Sequence, residues 1–300
     1  MPKIITEDMI EQAAIKALQE RHNYTVLNCM TEEPDTLPDG TGRKDKKQVV
    51  LPDVMLESLC RINPDIPEQT VRTVVDELCH TPVSGDLMLT NYQNYQKIRN
   101  GITVEYNKDG KKTSNILRLL AYNDTLSNTF TVASHMWIKG ETHWRRPDLI
   151  IFINGFPMVF IELKNSNIPV KNAYDINLKN YLKDIPYLFN YNQICVLSNG
   201  METRLGSFAA GHEFFFEWLK MENEKESPDR KAIRENCTSL EYFIAGLCEP
   251  KNLLDYIENF ILYDRRRTKI IAKNHQFFGV NNAYNAFLRR EELKGTLGVF

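Results

Sequence analysis

Residues 6–19 repeat apolar positions at helical spacing. Ile10, Ala13, Ala14, Ala17 and Leu18 project onto one face, Thr6 is placed to cap the start, and Glu7 and Asp8 suit the positive end of the helix dipole. Glu11 falls at the edge of that face, beside Leu18 in projection. From Thr31 to Gln48 the pattern dissolves into Pro34, Pro38, Gly40, Gly42 and mixed charges, which is loop composition. Helical spacing returns from about Leu51 to Leu78, broken at Asn63-Pro64 and Pro67. After Gly101 the period drops to two: GITVEYNKDGKKTSNILRLLAY predicts a hairpin turning at Lys108-Asp109-Gly110, and TFTVASHMWIKG a further strand. DLIIFI and MVFIEL, on either side of Asn154-Gly155-Phe156-Pro157, are short β-rich apolar runs, the pattern of strands buried on both faces. Residues 172–183 read as a helix ending before Pro186, QICVLSNG as another buried strand, and Glu213 to Met221 as an aromatic helix. The last forty residues read as helices rich in Arg and Lys, followed by LKGTLGVF. The predicted fold class is α/β, a mixed central β-sheet flanked by helices.

Composition narrows the class without choosing a function. Hydrophobic residues at 42% and charged residues at 25% are close to the globular average, which argues against disorder or a fibrous repeat. The uncharged run Leu149–Ile161 is thirteen residues long and broken by Asn154-Gly155 and Pro157, too short to span a bilayer as a helix. Acids in MPKIITEDMIEQ stand where a signal peptide would need its apolar region. The six cysteines are far apart, with no CxxC, which fits reduced thiols. The expectation is a cytoplasmic protein without a membrane span. With a net charge of -2, any nucleic-acid surface has to be local.

The chemically informative segment is Arg145-Arg146-Pro147-Asp148, thirteen intervening residues, then Glu162-Leu163-Lys164. Glu162 and Lys164 share a strand face by the period of two. If paired residue numbers across the turn at Asn154-Gly155 sum to 310, Asp148 lies opposite Glu162; if they sum to 312, it lies opposite Lys164. A sum of 311 turns Asp148 to the other face, so the site requires an odd-length loop or a bulge. Given that geometry, two carboxylates can hold Mg²⁺ while leaving positions for water and a phosphate oxygen. The metal lowers the pKa of bound water, and a lysine two residues beyond the second acid can orient that water or stabilise developing negative charge. The same residues could instead form strand-end salt bridges, since an ExK triplet alone is a weak signal. Glu162 and Lys164 end an apolar strand, however, where a stranded charge is costly without a partner.

RRPDLIIFINGFPMVFIELKN resembles the PD-(D/E)xK nuclease core carried by the restriction (R) subunit of type I restriction enzymes. The resemblance continues through GITVEYNKDGK and NTFTVASHMWIKG before the core, IPYLFNYNQICVLSNG and METRLGSF after it, and KNHQFFGVNNAY near the end. It implies a restriction-endonuclease-like core over residues 1–250, and over 251–300 a linker with the truncated beginning of the first P-loop motor domain. It implies a Mg²⁺-dependent endonuclease that cleaves double-stranded DNA non-specifically after ATP-driven translocation, alongside methyltransferase and specificity subunits. Asp148, Glu162 and Lys164 take the family's catalytic positions, Asp148 and Glu162 as metal ligands. The acid usually supplied by the first helix is assigned to Glu11 in preference to Glu7.

Many members carry Gln-x-x-x-Tyr after ExK; here Asn177 and Tyr181 stand at that spacing and are expected to bind DNA, with asparagine's shorter amide in place of glutamine's. Arg145 and Arg146 are expected to hold DNA phosphates. Arg265, Arg266, Arg267, Lys269 and Lys273 form a second basic cluster, read as a solvated helix face or an interdomain surface. Gln276 matches the family's adenine-reading glutamine, for ATP bound by the full-length protein. No GxxxxGK[ST] occurs, and Leu297-Gly298-Val299-Phe300 reads as an apolar tail where a phosphate loop would shortly follow, so no ATP hydrolysis is expected of these 300 residues. The alternative reading is a non-catalytic docking and coupling module, favoured if Asp148 faces away from Glu162 and Lys164.

Overall fold

The computed structural model describes residues 4–80 and 85–295. Seven strands, numbered in chain order, form one mixed sheet in which spatial order equals chain order. They are β1 (Thr25–Asn28), β2 (Phe130–Ser134), β3 (Leu149–Ile153), β4 (Phe156–Leu163), β5 (Ile194–Ser198), β6 (Thr203–Gly206) and β7 (Phe216–Glu217). β1 is parallel to β2, and β4 is parallel to β5; every other neighbouring pair is antiparallel. β3 and β4 are buried at every position, as two uninterrupted apolar runs require.

Helices cover both faces. On one, Leu149, Ile151 and Ile153 pack with Ile10, Ala14 and Leu18 of α1 (Glu7–His22) and with Met55 and Leu59 of α2 (Pro52–Ile62). The helix over residues 170–184 supplies Val170, Ala173, Leu178 and Tyr181 to the other face, against Ile150, Phe152 and Phe160. Leu253, Leu254, Ile257 and Phe277 join the first of these cores, so the chain after residue 250 packs against the same sheet. Thr6 caps α1 as expected, its Oγ1 accepting from Met9 N at 3.3 Å, but Ala13 is exposed because α1 presents only a narrow stripe to the sheet. The hairpin Ile102–Lys108/Lys111–Leu117 turns at Asp109-Gly110 as read, both residues having positive φ.

Two expectations are corrected. Residues 213–221 are not a helix: a 3₁₀ turn over His212–Phe214 leads into the edge strand β7, which pairs with β6. Phe215, Trp218 and Leu219 are buried at a spacing that would also suit a helix face, so the backbone pairing with β6, not the side-chain pattern, sets the conformation here. The basic cluster near the C-terminus is not on a helix face. Arg265 and Arg266, at φ 48 and 61, turn a hairpin between Ile261–Asp264 and Thr268–Ile271. Lys269 on its second strand is buried, donating to Asn192 O at 2.7 Å and Gln193 Oε1 at 2.9 Å. β-branched and aromatic residues in ILYD and TKII outweigh the helical suggestion of the charges. The apolar tail Leu297–Phe300 lies outside the described residues.

The segment read as loop, Thr31–Gln48, carries no regular structure but holds a buried ion cluster. Asp39 Oδ2 accepts from Lys46 Nζ at 2.7 Å and from Arg43, whose guanidinium also donates to Trp137 O at 3.1 Å and Gln48 O at 2.9 Å. This loop is thereby fastened to the chain that leads from β2 toward β3.

Candidate active site

The β3–β4 turn decides the geometry. Asn154 and Gly155 have φ 50 and 81, the paired left-handed conformation of a two-residue hairpin turn that asparagine and glycine tolerate best. Beside the turn the register is Ile153↔Phe156 and Phe152↔Pro157, whose numbers sum to 309; extended to the strand end, it would turn Asp148 away from Glu162. A bulge intervenes between Phe152 and Ile151, and beyond it Ile151↔Val159, Ile150↔Phe160 and Leu149↔Ile161 sum to 310. Continued one residue beyond the last pair, this register sets Asp148 opposite Glu162, and the charge of Asp148 acts on Glu162. A side chain on Gly155 would come within 2.6 Å of the Leu51 carbonyl, which pins the turn to the start of α2.

The three side chains meet at the strand ends. Lys164 Nζ donates to Glu162 Oε1 at 3.0 Å and lies 3.8 Å from Glu7 Oε1. Asp148 Oδ2 accepts the Leu163 amide at 2.6 Å. Glu162 is 2% exposed and its Oε2 is buried without a hydrogen-bond partner. Burial, and then the charge of Asp148, push the Glu162 carboxyl up to about 8 despite Lys164 beside it. Burial likewise raises Asp148 to about 6, against the opposing Leu163 amide and Lys164. Desolvation would lower Lys164, but the carboxylates of Glu162, Asp148 and Glu7 outweigh it and keep the ammonium charged.

α1 brings two acids. Glu11 is buried, and desolvation followed by Asp148 raises its carboxyl to about 7. Glu7, passed over in the sequence, faces Lys164 and accepts the Asn165 amide at 3.3 Å. His135, immediately after β2, places its Nε2 3.4 Å from Glu11 Oε1. Nothing in the sequence pattern singled it out, because only its left-handed backbone, φ 56, turns the ring toward α1.

Of the expected phosphate-binding arginines, the structure brings one to this cluster. Arg146 is exposed, its guanidinium 5.2 Å from the Trp137 ring centre, and its charge acts on Glu11, Asp148 and His135. Arg145 Nε instead donates to Asp184 Oδ2 at 2.7 Å, in an ion pair that already occupies its guanidinium. Tyr181 is buried edge-on against Phe160, and its hydroxyl donates to Arg146 O at 3.0 Å. Asn177 lies in the π-helical turn Ala173–Leu178, a local unwinding that alters the simple i,i+4 relation to Tyr181. Gln276 is elsewhere: its Oε1 accepts Lys273 N at 2.8 Å at the start of the helix Asn274–Leu288. It lines a cavity of about 510 Å³ with Arg267, Lys269 and Phe214.

The family model described as type I restriction enzyme R protein N terminus matches residues 4–214. The chain belongs to this family. Among curated type I restriction proteins, it is 32% identical over 305 residues to the HindI endonuclease subunit of Haemophilus influenzae, covering 97% of this chain and 28% of that subunit. It is 27% identical over 303 residues to the putative MjaIXP endonuclease subunit of Methanocaldococcus jannaschii, covering 96% of this chain and again 28% of the relative. The chain of this R-protein family member therefore spans just over a quarter of the length of these relatives. Among its described residues, no helix is long and apolar enough to cross a membrane.

This family member's site has a direct thermodynamic signature. Glu11, Asp148 and Glu162 hold protons in the folded state that the unfolded chain releases at their ordinary, lower pKa values. Their contribution to stability is therefore full below those ordinary values and is lost as pH rises toward about 8. In chelator, Tm is expected to fall across this range, and Glu162→Gln to flatten the fall. Thermal unfolding followed at several pH values checks this; equal slopes in wild type and Glu162→Gln would contradict the burial cost assigned to Glu162.

Proposed function

We propose that this region is the Mg²⁺-dependent endonuclease module of a type I restriction enzyme R subunit, with a PD-(D/E)xK core and catalytic residues Asp148, Glu162 and Lys164. It cleaves double-stranded DNA without sequence preference, after translocation driven by an ATP-dependent motor in the longer protein. The observation that carries the reading is the bulge in β4, which turns Asp148 onto the face of Glu162 and Lys164. The same register counts against a purely docking and coupling role, which was favoured by an Asp148 facing away.

The residues fit a divalent cation. Two buried carboxylate oxygens, Glu162 Oε2 and Glu11 Oε1, lack hydrogen-bond partners, and a carboxylate oxygen so placed is costly unless a cation or proton compensates it. Among the described residues, no three His, Cys, Asp or Glu side chains converge as a set that could hold one ion. Mg²⁺ is commonly held by one or two carboxylates, with waters and substrate phosphates completing its shell, so Asp148 and Glu162 suffice as its ligands. When bound, the ion would acidify a water and neutralise charge on the phosphate. Lys164, its Nζ fixed by Glu162 and Glu7, supports the attacking water and the charge developing on the phosphate oxygens. Glu11 closes the acidic cluster from α1, and Arg146 offers its exposed guanidinium to a DNA phosphate. Arg145 acts indirectly, by holding Asp184 on the helix that carries Tyr181, and Tyr181 in turn positions Arg146 through its carbonyl. Asn177, whose amide has no hydrogen-bond partner among the described residues, is left available to DNA.

Residues 1–250 are assigned to the endonuclease unit and 251–300 to the approach to the motor, where Gln276 would contact ATP in the full-length protein. Methyltransferase and specificity subunits are the proposed partners, and the cytoplasm the proposed location. Isothermal titration of Mg²⁺ or Mn²⁺ tests the site: wild type is expected to bind and Glu162→Ala to bind at least about tenfold more weakly, in line with the cost of disturbing a metal's ligands. Equal binding by both proteins would remove the basis of the assignment.

A further inference from the structure

The contact between Glu11 and His135 is not that of an ordinary ion pair. A charge-assisted hydrogen bond between an imidazolium and a carboxylate closes to roughly 2.7–2.9 Å. Here the separation is 3.4 Å, and Glu11 Oε1 remains without a hydrogen-bond partner although it is buried. Two donors that share one cation at roughly 2.0–2.2 Å stand about 3.0 Å apart at adjacent octahedral positions and about 3.4 Å apart at tetrahedral ones. The His135 ring is held there by a left-handed backbone that non-glycine residues adopt only at a cost, φ 56 between the buried Ser134 and Met136. Asp148 is near enough to Glu11 to act on it electrostatically, so this pair adjoins the cation position already proposed.

We infer that Glu11 Oε1 and His135 Nε2 form a mixed oxygen–nitrogen cation site beside Asp148, suited to a first-row transition-metal ion, with Mn²⁺ as its paramagnetic probe, rather than to Mg²⁺. The inference rests on the nuclease reading and adds to it a second, adjoining cation position with its own metal preference. First-row transition metals accept imidazole nitrogen as a ligand, the later ones most strongly, whereas Mg²⁺ takes oxygen ligands almost exclusively. Water and a phosphate oxygen would complete the shell, in keeping with the two protein donors available.

The test uses this 300-residue chain, with Mn²⁺ and Mg²⁺ as probes. Electron spin-echo modulation of the Mn²⁺-loaded wild type should show a directly bound imidazole nitrogen. That signal should vanish in His135→Asn, a change chosen because asparagine accepts left-handed backbone. Calorimetric Mn²⁺ affinity should fall at least about tenfold in the variant while Mg²⁺ affinity holds. Glu11→Gln, which leaves His135 in place, should also lower Mn²⁺ affinity and provides a second reading if His135→Asn does not fold. Absence of nitrogen coupling in wild type, or its persistence in folded His135→Asn, overturns the inference. If coupling is absent but cation binding still depends on Glu162, the nuclease reading survives alone; if wild type binds neither ion, both fall.

Discussion

Lys164→Ala is expected to lower DNA cleavage by the assembled, ATP-driven complex by on the order of 10²- to 10³-fold, about 3–4 kcal/mol of transition-state stabilisation. The ammonium is nearly enclosed and fixed by Glu162 Oε1 at 3.0 Å. Its interaction with phosphate oxygens strengthens as charge develops on them. Loss of such an interaction shows in the rate more than in ground-state binding, so Mn²⁺ and DNA affinities should change far less than cleavage. Lys164→Arg should rescue poorly: a planar guanidinium has neither the size nor the donor directions of an ammonium seated between Glu162 and Glu7. The measurement is cleavage by wild type, Lys164→Ala and Lys164→Arg, with translocation followed separately. Wild-type cutting by Lys164→Ala would remove the lysine from the chemistry. Joint loss of cutting and translocation would make it structural.

The second large effect lies outside the acidic cluster. Asp39→Ala is expected to destabilise the fold by about 3–5 kcal/mol, because it leaves Arg43 and Lys46 buried together with no compensating carboxylate. Burial alone would raise the Asp39 carboxyl, but hydrogen bonds from Lys46, Thr41 and Arg43 more than offset it and hold the group at about 2. Its contribution to stability is thus present above the ordinary value of 3.8 and is lost as pH falls toward about 2. Denaturant unfolding near neutrality and in acid measures both parts. A loss below about 1 kcal/mol at neutral pH, the scale of an exposed pair, would show that the cluster is not electrostatically buried. Replacing all three residues by apolar ones of similar volume should cost much less than Asp39→Ala alone, since no charge is then stranded. Asp39→Ala should also loosen the site at a distance. Arg43 holds the Trp137 carbonyl, and the Trp137 ring supports Arg146.

Local pattern along the chain was enough to place α1 with its Thr6 cap, the two buried strands around Asn154-Gly155, the hairpin at Asp109-Gly110 and the ExK spacing. These depend on turn chemistry, capping and periodicity, all of which act over a few residues. It was enough, too, to state the condition for Asp148 to join Glu162 and Lys164. Whether that condition is met rests on one bulged residue, and only the pairing of whole strands decides where a bulge falls. The aromatic stretch 213–221 and the basic stretch 265–273 misled for a related reason: an edge strand and a hairpin are selected by the neighbours that receive their backbone hydrogen bonds, β6 and the facing strand. The Asp39 cluster and the Glu11–His135 contact were invisible along the chain, because each joins charges whose meaning comes from burial and from partners distant in sequence. Desolvation makes Glu11, Asp148 and Glu162, legible along the chain only as candidate site residues, into a high-energy cluster, and that cost exists only once the sheet and helices have closed over them.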